Sequence, residues 1–292
     1  MKKEKTEKKR KVKDIRRVKT LPPMSTIVPF IMQQRNESSN LMFDTVNVSK
    51  LEKYIKEKQA DGMKNISMMH VLIAAYCRTV AQRPALNRFI RGQRVFTRRS
   101  IEVCLTIKKE MSLESPDTCL KIFVDPSVTT ADVYEKLNHE ITSYRDNPGG
   151  DFDNTAGFLS HIPSVILRGT IGFLKFLDYF RMFPKFLERV SPFHCSMFIT
   201  SMGSLGVPAI YHHLYDFGTC PLFIAFGAKR RSYEVNPDGS IYKRQFMDVK
   251  LTCDERICDG YYYASAFKTF KAILADPWQL DSPPEKIEED IR

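Results

Sequence analysis

The chain of 292 residues has no Cys-x-x-Cys pair and no histidine at ligand spacing from any of its seven cysteines. A structural zinc site, and with it any resident metal, is therefore not expected. No signal-peptide pattern precedes the cysteines. Their odd number and their scatter through apolar segments (77, 104, 119, 195, 220, 253 and 258) predict reduced, buried thiols and a cytoplasmic protein. Long hydrophobic runs are also scarce. In the aromatic-rich segment 156–190 the longest uncharged run is Ala156 to Leu167, twelve residues, too short to span a bilayer. No internal repeat is present. Basic charge is missing from most of the chain despite a net charge of +11. Residues 1–20 hold eleven Lys or Arg against Glu4, Glu7 and Asp14, a surplus of eight, which leaves three for everything after them. The pI therefore reflects a charged tail and predicts no specific nucleic-acid partner.

A composition of 43% hydrophobic and 27% charged residues fits one substantial core. Residues 1–22 read as a solvated basic tail ended by Leu21-Pro-Pro23, with Lys8-Lys-Arg-Lys11 as a polyanion-binding or localisation cluster. The domain proper is expected over 23–280, and 281–292 reads as a polar tail. Alternation predicts strands at Leu41–Val48, Arg94–Arg98, Ile101–Lys108, Leu120–Val124 and Met197–Thr200. Helical periodicity is expected over Ser49–Gln59, with Ser49 as N-cap, and over Ser67–Gln82, apolar nearly all round and so buried. A further helix is expected at Ala131–Tyr144, capped by Thr129 or Thr130. Asn147-Pro-Gly-Gly150 reads as a loop. Residues 156–190 read as a helical hairpin or cap that packs on the core, on a neighbouring subunit or against lipid.

The C-terminal third is the most informative. Leu222–Val235 and Ile241–Asp254 read as strands joined by Asn236-Pro-Asp-Gly239, a hairpin signal. Met247, Val249, Leu251 and Cys253 fall on one face of the second strand, with Asp248, Lys250, Thr252 and Asp254 on the other. The strand runs into Glu255-Arg-Ile-Cys-Asp259-Gly260, and a helix carrying Tyr263, Ala266, Phe267, Phe270 and Leu274 on one side follows to about Ala275.

This turn resembles the His-x-x-x-Asp-Gly turn of the acyltransferase components of 2-oxo acid dehydrogenase complexes and of chloramphenicol acetyltransferase, with Glu255 in the place of the histidine. Other segments are similar in order. Phe198-Ile-Thr-Ser-Met-Gly-Ser-Leu-Gly206 resembles their Thr-Ile-Ser-Asn-Leu-Gly, and Leu222-Phe-Ile-Ala-Phe-Gly227 the strand after it. His70–Ala81 with Arg83-Pro-Ala-Leu-Asn87 resembles their buried helix and Tyr-Pro-x-Leu-Asn. The match spans roughly 40–125 and 195–280. It implies a chloramphenicol-acetyltransferase-like two-layer α/β sandwich, a mixed sheet flanked by helices, assembled as a homotrimer or a multiple of trimers. The active site would lie between subunits, and coenzyme A would serve there as the acyl thioester.

In that family the histidine takes the proton of a thiol or hydroxyl as it attacks the thioester, and a serine donates to the oxyanion. Carried over by position, the base falls on Glu255. A carboxyl, at a reference pKa of about 4.3 against about 6.5 for imidazole, is the weaker base toward a thiol. The serine falls on Gly203, with Ser201 and Ser204 beside it as oxyanion or substrate contacts. A second source of a base is His212 and His213, in Tyr211-His-His213, and His194 is a weaker one. An ion pair of Glu255 with Arg256, or with a cation of another subunit, is the non-catalytic alternative. The resemblance also implies a structural Asp259, for which Arg35 is the candidate partner, and a Gly260 that lets helix and strand pack closely.

Nothing before residue 40 matches a lipoyl or subunit-binding domain, so no covalently attached lipoate is expected and the acceptor, small or on a separate carrier protein, arrives in trans. Two classes of function follow. One is a stand-alone coenzyme-A-dependent acyltransferase. The other is a catalytically silent trimeric homologue that binds an acyl thioester or lipid as scaffold or sensor. Either is compatible with peripheral attachment to an anionic membrane through residues 1–20.

Overall fold

A computed structural model of the protein describes residues 14–108, 117–146, 157 and 159–291. Its centre is a mixed six-stranded sheet in the order β2-β9-β8-β7-β5-β6. The strands are β2 (Ser39–Asn47), β5 (Ile101–Lys108), β6 (Asp117–Val124), β7 (Met197–Ser201), β8 (Leu222–Val235) and β9 (Ile241–Asp254). β5, β7 and β8 run parallel, and the outer pairings are antiparallel. A second sheet of β1 (Ile15–Arg17), β4 (Arg94–Arg98) and β3 (Arg88–Arg91) stands beside it.

Helices α2 (Ser49–Ala60), α3 (Met68–Gln82), α4 (Thr130–Asp146) and α7 (Gly260–Ala275) pack with one face of the large sheet in a single apolar cluster. Helix α3 is buried along almost its whole length, as its all-round apolar sequence predicts, and His70 closes a capping box with Ser67 at its start. The mixed sheet with flanking helices is the expected fold class. Helix α2 begins as expected, but Val48 is its N-cap and Ser49 its first residue. At α4 the hydroxyl of Thr129 accepts from the Asp132 N–H at 3.2 Å.

The alternation of β9 is realised in its helix-facing residues Met247, Val249, Leu251 and Cys253, all buried. The opposite face departs from expectation. Thr252 and Asp254 are also buried, because residues 208–220 fold back over that face around Phe198, Leu214, Cys220 and Phe223. The hairpin turn at 236–239 forms as read, with Gly239 at φ +80° and its N–H donating to the Asn236 carbonyl at 2.9 Å. The segment 156–190 contains α5 (Ser164–Tyr179) and α6 (Lys185–Val190). Its residues 156 and 158, the Lys8–Lys11 cluster and the 147–150 loop lie outside the described residues.

Both tail boundaries move. β1 pairs antiparallel with β4, Val18 is buried, and Asp14 accepts from Ser100. Residues 14–22 therefore belong to the body, because the backbone edge of β4 needs a partner that a solvated tail cannot provide. At the other end, Asp281 accepts from the Tyr54 hydroxyl at 2.6 Å and pairs with Lys58 at 2.7 Å. Asp290 takes the Arg88 guanidinium through both oxygens, at 2.6 and 2.7 Å. Two acids after 280 thus meet cations of the body, the half-buried Lys58 and the buried Arg88. Helix α1 (Pro23–Ile31) lies near β4 and exposes Met24, Ile27 and Ile31.

Candidate active site

The turn after β9 is built on one carboxylate. Asp254, fully buried, receives Arg256 through both oxygens at 2.8 Å, the Ser38 hydroxyl at 3.1 Å and Arg35 Nε at 3.4 Å. The spare donors of the two arginines go to backbone carbonyls. Arg256 reaches Met32 and Gln33, and Arg35 reaches Tyr215. Burial lowers the pKa of Arg35, and the Asp254 charge opposes that shift. The Tyr263 hydroxyl on α7 donates to the Asp254 carbonyl at 2.8 Å. Strand end, 30s segment and helix are thereby locked together.

Arg35 thus braces Asp254, where Asp259 was the expected partner. Asp259 instead caps α7, accepting from the Tyr262 N–H at 2.8 Å. A carboxylate at a helix N-terminus is satisfied by orphan N–H groups and needs no arginine. Gly260 is likewise not required by close packing, since a Cβ there would meet nothing within 4 Å.

Glu255 is the half-buried residue between buried Asp254 and buried Arg256. Its N–H donates to the Ser38 carbonyl at 2.9 Å, and its Oε2 accepts from Asn40 Nδ2 at 2.8 Å. It makes no ion pair with Arg256, whose guanidinium is committed to Asp254. The result is a carboxylate on a rigid backbone with one neutral donor holding it and no partner for its other oxygen among the described residues. Asn40 and Ser38 have no local signal in the sequence. They reach the turn only through the β2–β9 register, in which Asn40 faces Cys253.

The other candidates lie elsewhere. His212 stacks on Phe223 with ring centroids 4.2 Å apart, and its carbonyl accepts from the Thr252 hydroxyl at 2.5 Å. Burial, and then the charge of His213, lower its pKa, and its Nε2 is buried without a partner among the described residues. His213 is exposed, edge-on to Tyr215. Phe223 and Thr252 are cross-strand partners on one face of the sheet, whereas Asn40 shares the opposite face with Cys253. The sheet therefore separates Glu255 from His212.

Ser201, Gly203 and Ser204 close β7 and the short 3-10 turn after it, and Ser204 Oγ donates to the Ser201 carbonyl at 3.2 Å. Gly203 has no room for a side chain: a Cβ would lie 2.8 Å from the Gly227 carbonyl oxygen. Ser201 pairs with Phe226, while the Glu255 turn follows the Leu222–Cys253 pair. Four residues of strand, about 13 Å, thus separate the two positions on β8, Leu222 and Phe226, beside which the two half-sites lie. Within one chain they do not meet.

A second ionic cluster escaped the sequence reading. Arg91 bonds Asp178 at 2.8 Å and Glu188 at 2.6 Å, and His194, fully buried, faces Asp178 at 3.6 Å and Ser191 Oγ at 2.8 Å. Lys121 donates to the Glu188 and His194 carbonyls and pairs with Glu102 at 2.6 Å. His194 is thus a structural residue that ties α5 and α6 to the sheet.

Residues 195–281 match the family model of the 2-oxoacid dehydrogenases acyltransferase (catalytic domain). The chain is similar in fold to the probable dihydrolipoamide acetyltransferase of Listeria monocytogenes, at 12% identity and a TM-score of 0.58 over 88% of this chain and 94% of that one. It is similar also to the dihydrolipoamide acetyltransferase of Azotobacter vinelandii, at 12% identity and 0.54 over 90% and 93%. The truncated catalytic core of the 2-oxoacid dehydrogenase multienzyme complex of Thermoplasma acidophilum gives 13% identity and 0.54 over 90% and 99%. No curated protein sequence matches the chain. The resemblance drawn from the turn and its companion segments therefore holds, with an acyltransferase catalytic-domain fold.

Proposed function

We propose that the protein is an acyltransferase that moves an acyl group from a coenzyme A thioester to a thiol or hydroxyl acceptor supplied in trans, at a site completed between copies of the chain. One observation carries this reading. Glu255 is presented, with a free oxygen, on a turn whose two flanking charges are buried and paired with each other. A frame of that rigidity holds a side chain to a reacting atom and has little use under a merely solvated glutamate. As base, the carboxylate would take the acceptor proton while the acceptor attacks the thioester carbonyl, and would return it to the coenzyme A sulfur as the C–S bond breaks. Ser201, Ser204 or the Gly203 backbone of another copy would face the oxyanion, because within one chain the two half-sites lie four residues apart along β8. The cavity of ≈ 320 Å3 beside the turn is lined in part by Arg35 and Arg256 but not by Glu255, Ser201, Gly203 or Ser204, and in this reading the pantetheine arm runs between copies.

Acyl transfer from a panel of acyl-coenzyme A donors to small thiols and a dithiol tests this. Glu255→Gln is expected to lower kcat by about 10²-fold or more with the oligomer intact. Mixing Glu255→Gln with a Ser201→Ala/Ser204→Ala variant before assembly is expected to restore part of the rate. A second reading, a silent homologue that binds the thioester, is favoured by the filled space at Gly203, which denies that position a hydroxyl. Equal, background rates for wild type and Glu255→Gln, with acyl-coenzyme A still bound, would establish it.

A further inference from the structure

Helix α5 is amphipathic in an unusual sense. Its 16 residues run roughly 24 Å, with about 100° between successive side chains. Leu167, Ile171, Leu174, Leu177 and Asp178 share one side, and Asp178 is the helix's buried residue. The opposite arc, about 120° wide, should then be polar. It holds Val165, Ile166, Phe173 and Phe176 with Gly169 and Gly172, and Phe180 continues it. These large side chains are 52–83% exposed, and Phe186 on α6 is 69% exposed. A contiguous aromatic and aliphatic face of this extent marks an interaction surface.

Charge decides the occupant. Residues 164–190 carry Arg168, Lys175, Arg181, Lys185 and Arg189 against Asp178 and Glu188, and both acids are bound to Arg91. None of the five cations pairs with a carboxylate among the described residues; Arg181 and Arg189 lie over the Phe96 and Phe123 rings. Arg168 and Lys175 fall together along one rim of the apolar arc, where long side chains can keep their charges in the headgroup layer while the rings sit below it. The same face from a second copy would set cations against cations. Helix α5 is shorter than the roughly 30 Å hydrocarbon layer, and no described helix is long and apolar enough to cross a membrane. Residues 1–13 add eight Lys or Arg against two Glu.

We propose that the α5–α6 arm is a docking surface for anionic phospholipid bilayers, with α5 lying in the plane of the interface. Binding combines burial of its outward aromatic arc with attraction of its rim cations to lipid phosphates.

The test is flotation of the full chain with vesicles of phosphatidylcholine alone or mixed with phosphatidylglycerol, at low and high salt, with oligomer mass measured alongside. Wild type is expected to float with phosphatidylglycerol vesicles at least tenfold more than with pure phosphatidylcholine. Phe173→Ala/Phe176→Ala/Phe186→Ala and Arg168→Glu/Lys175→Glu/Arg181→Glu are each expected to lower the bound fraction about tenfold, with unchanged mass and thermal midpoint. Deleting residues 1–13 is expected to weaken binding severalfold without abolishing it. Three outcomes overturn the proposal: no flotation of the wild type, full flotation of both triple variants, or loss of oligomer mass in the aromatic variant with lipid binding retained. The last would make the face an interface between copies.

Discussion

The two buried ionic clusters invert each other. Under the Glu255 turn, one carboxylate, Asp254, sits between two guanidiniums, and tyrosine, serine and carbonyl groups complete its shell. At the root of the α5–α6 arm, one guanidinium, Arg91, sits between two carboxylates with His194 against one of them. The first joins β9 and α7, which also bury apolar side chains of their own in the main core. The second holds a helix whose sole buried side chain is itself an acid. Charge therefore acts beside apolar packing at the turn and provides much of the attachment of the arm. A buried ion pair contributes little net stability until one partner is removed, and then the loss is large.

Removing Asp254 should separate the two clusters most sharply. Asp254→Ala strands two buried guanidiniums and is expected to cost about 3–5 kcal/mol in urea unfolding, with loss of any acyl transfer. A loss under about 1 kcal/mol would show that the turn does not depend on its ions. Arg91→Ala comes next, at about 3 kcal/mol, and its effect should be local. Limited proteolysis after aromatic residues in 164–186 should accelerate tenfold or more while the thermal midpoint of the body moves little. Equal cutting of wild type and variant would break the comparison.

Acid should reach the arm through His194. The pKa of His194 is lowered, because burial outweighs its long contact to Asp178; Arg91 and Glu188 are the other charges facing it. The pKa of His70 is lowered to about 4 by burial. Both folded values lie below the unfolded value of about 6.5, so as pH falls the unfolded chain takes the protons first. Stability from both groups is fully present above about pH 6.5 and is lost as pH falls toward the folded values, roughly 3 kcal/mol for His70. Thermal midpoints between pH 7 and 4.5 measure this, and His70→Asn should flatten part of the slope. The smallest effect is that of Asp259→Ala, which removes the α7 N-cap and should cost about 1 kcal/mol. A loss of 3 kcal/mol or more would instead assign Asp259 a buried ionic role.

The sequence was most legible where local periodicity and tertiary environment agree. Helix α3, the β8–β9 hairpin and the strand–turn–helix through Glu255 follow from spacing alone. Legibility failed where partners come from far along the chain. Arg35 lies beside Asp254 because residues 32–39 run under the turn, and Asn40 reaches Glu255 through a strand register that no short window contains. The buried Thr252–Asp254 face reads as solvent-exposed because alternation is blind to the loop at 208–220 that covers it. His194 looked like a spare base, yet its partners Asp178 and Arg91 lie 16 and 103 positions away. Of the candidate site, the frame is visible in the sequence and the separation of its halves by four residues of β8 is not.

The guanidinium of Arg16 donates to the carbonyls of Asp290 and Ile291, at 2.6 and 2.7 Å. The two ends of the folded body are therefore adjacent, and its backbone nearly closes on itself. The order in which the elements occur along the chain is then separable from their architecture. A short glycine-rich linker from 291 to 14, with new ends cut in the 236–239 turn, should give a circular permutant that keeps the sheet order. In such a permutant the β8–β9 pairing would join the two ends of the polypeptide, and the site of chain entry would move from the β1 edge to the tip of the hairpin.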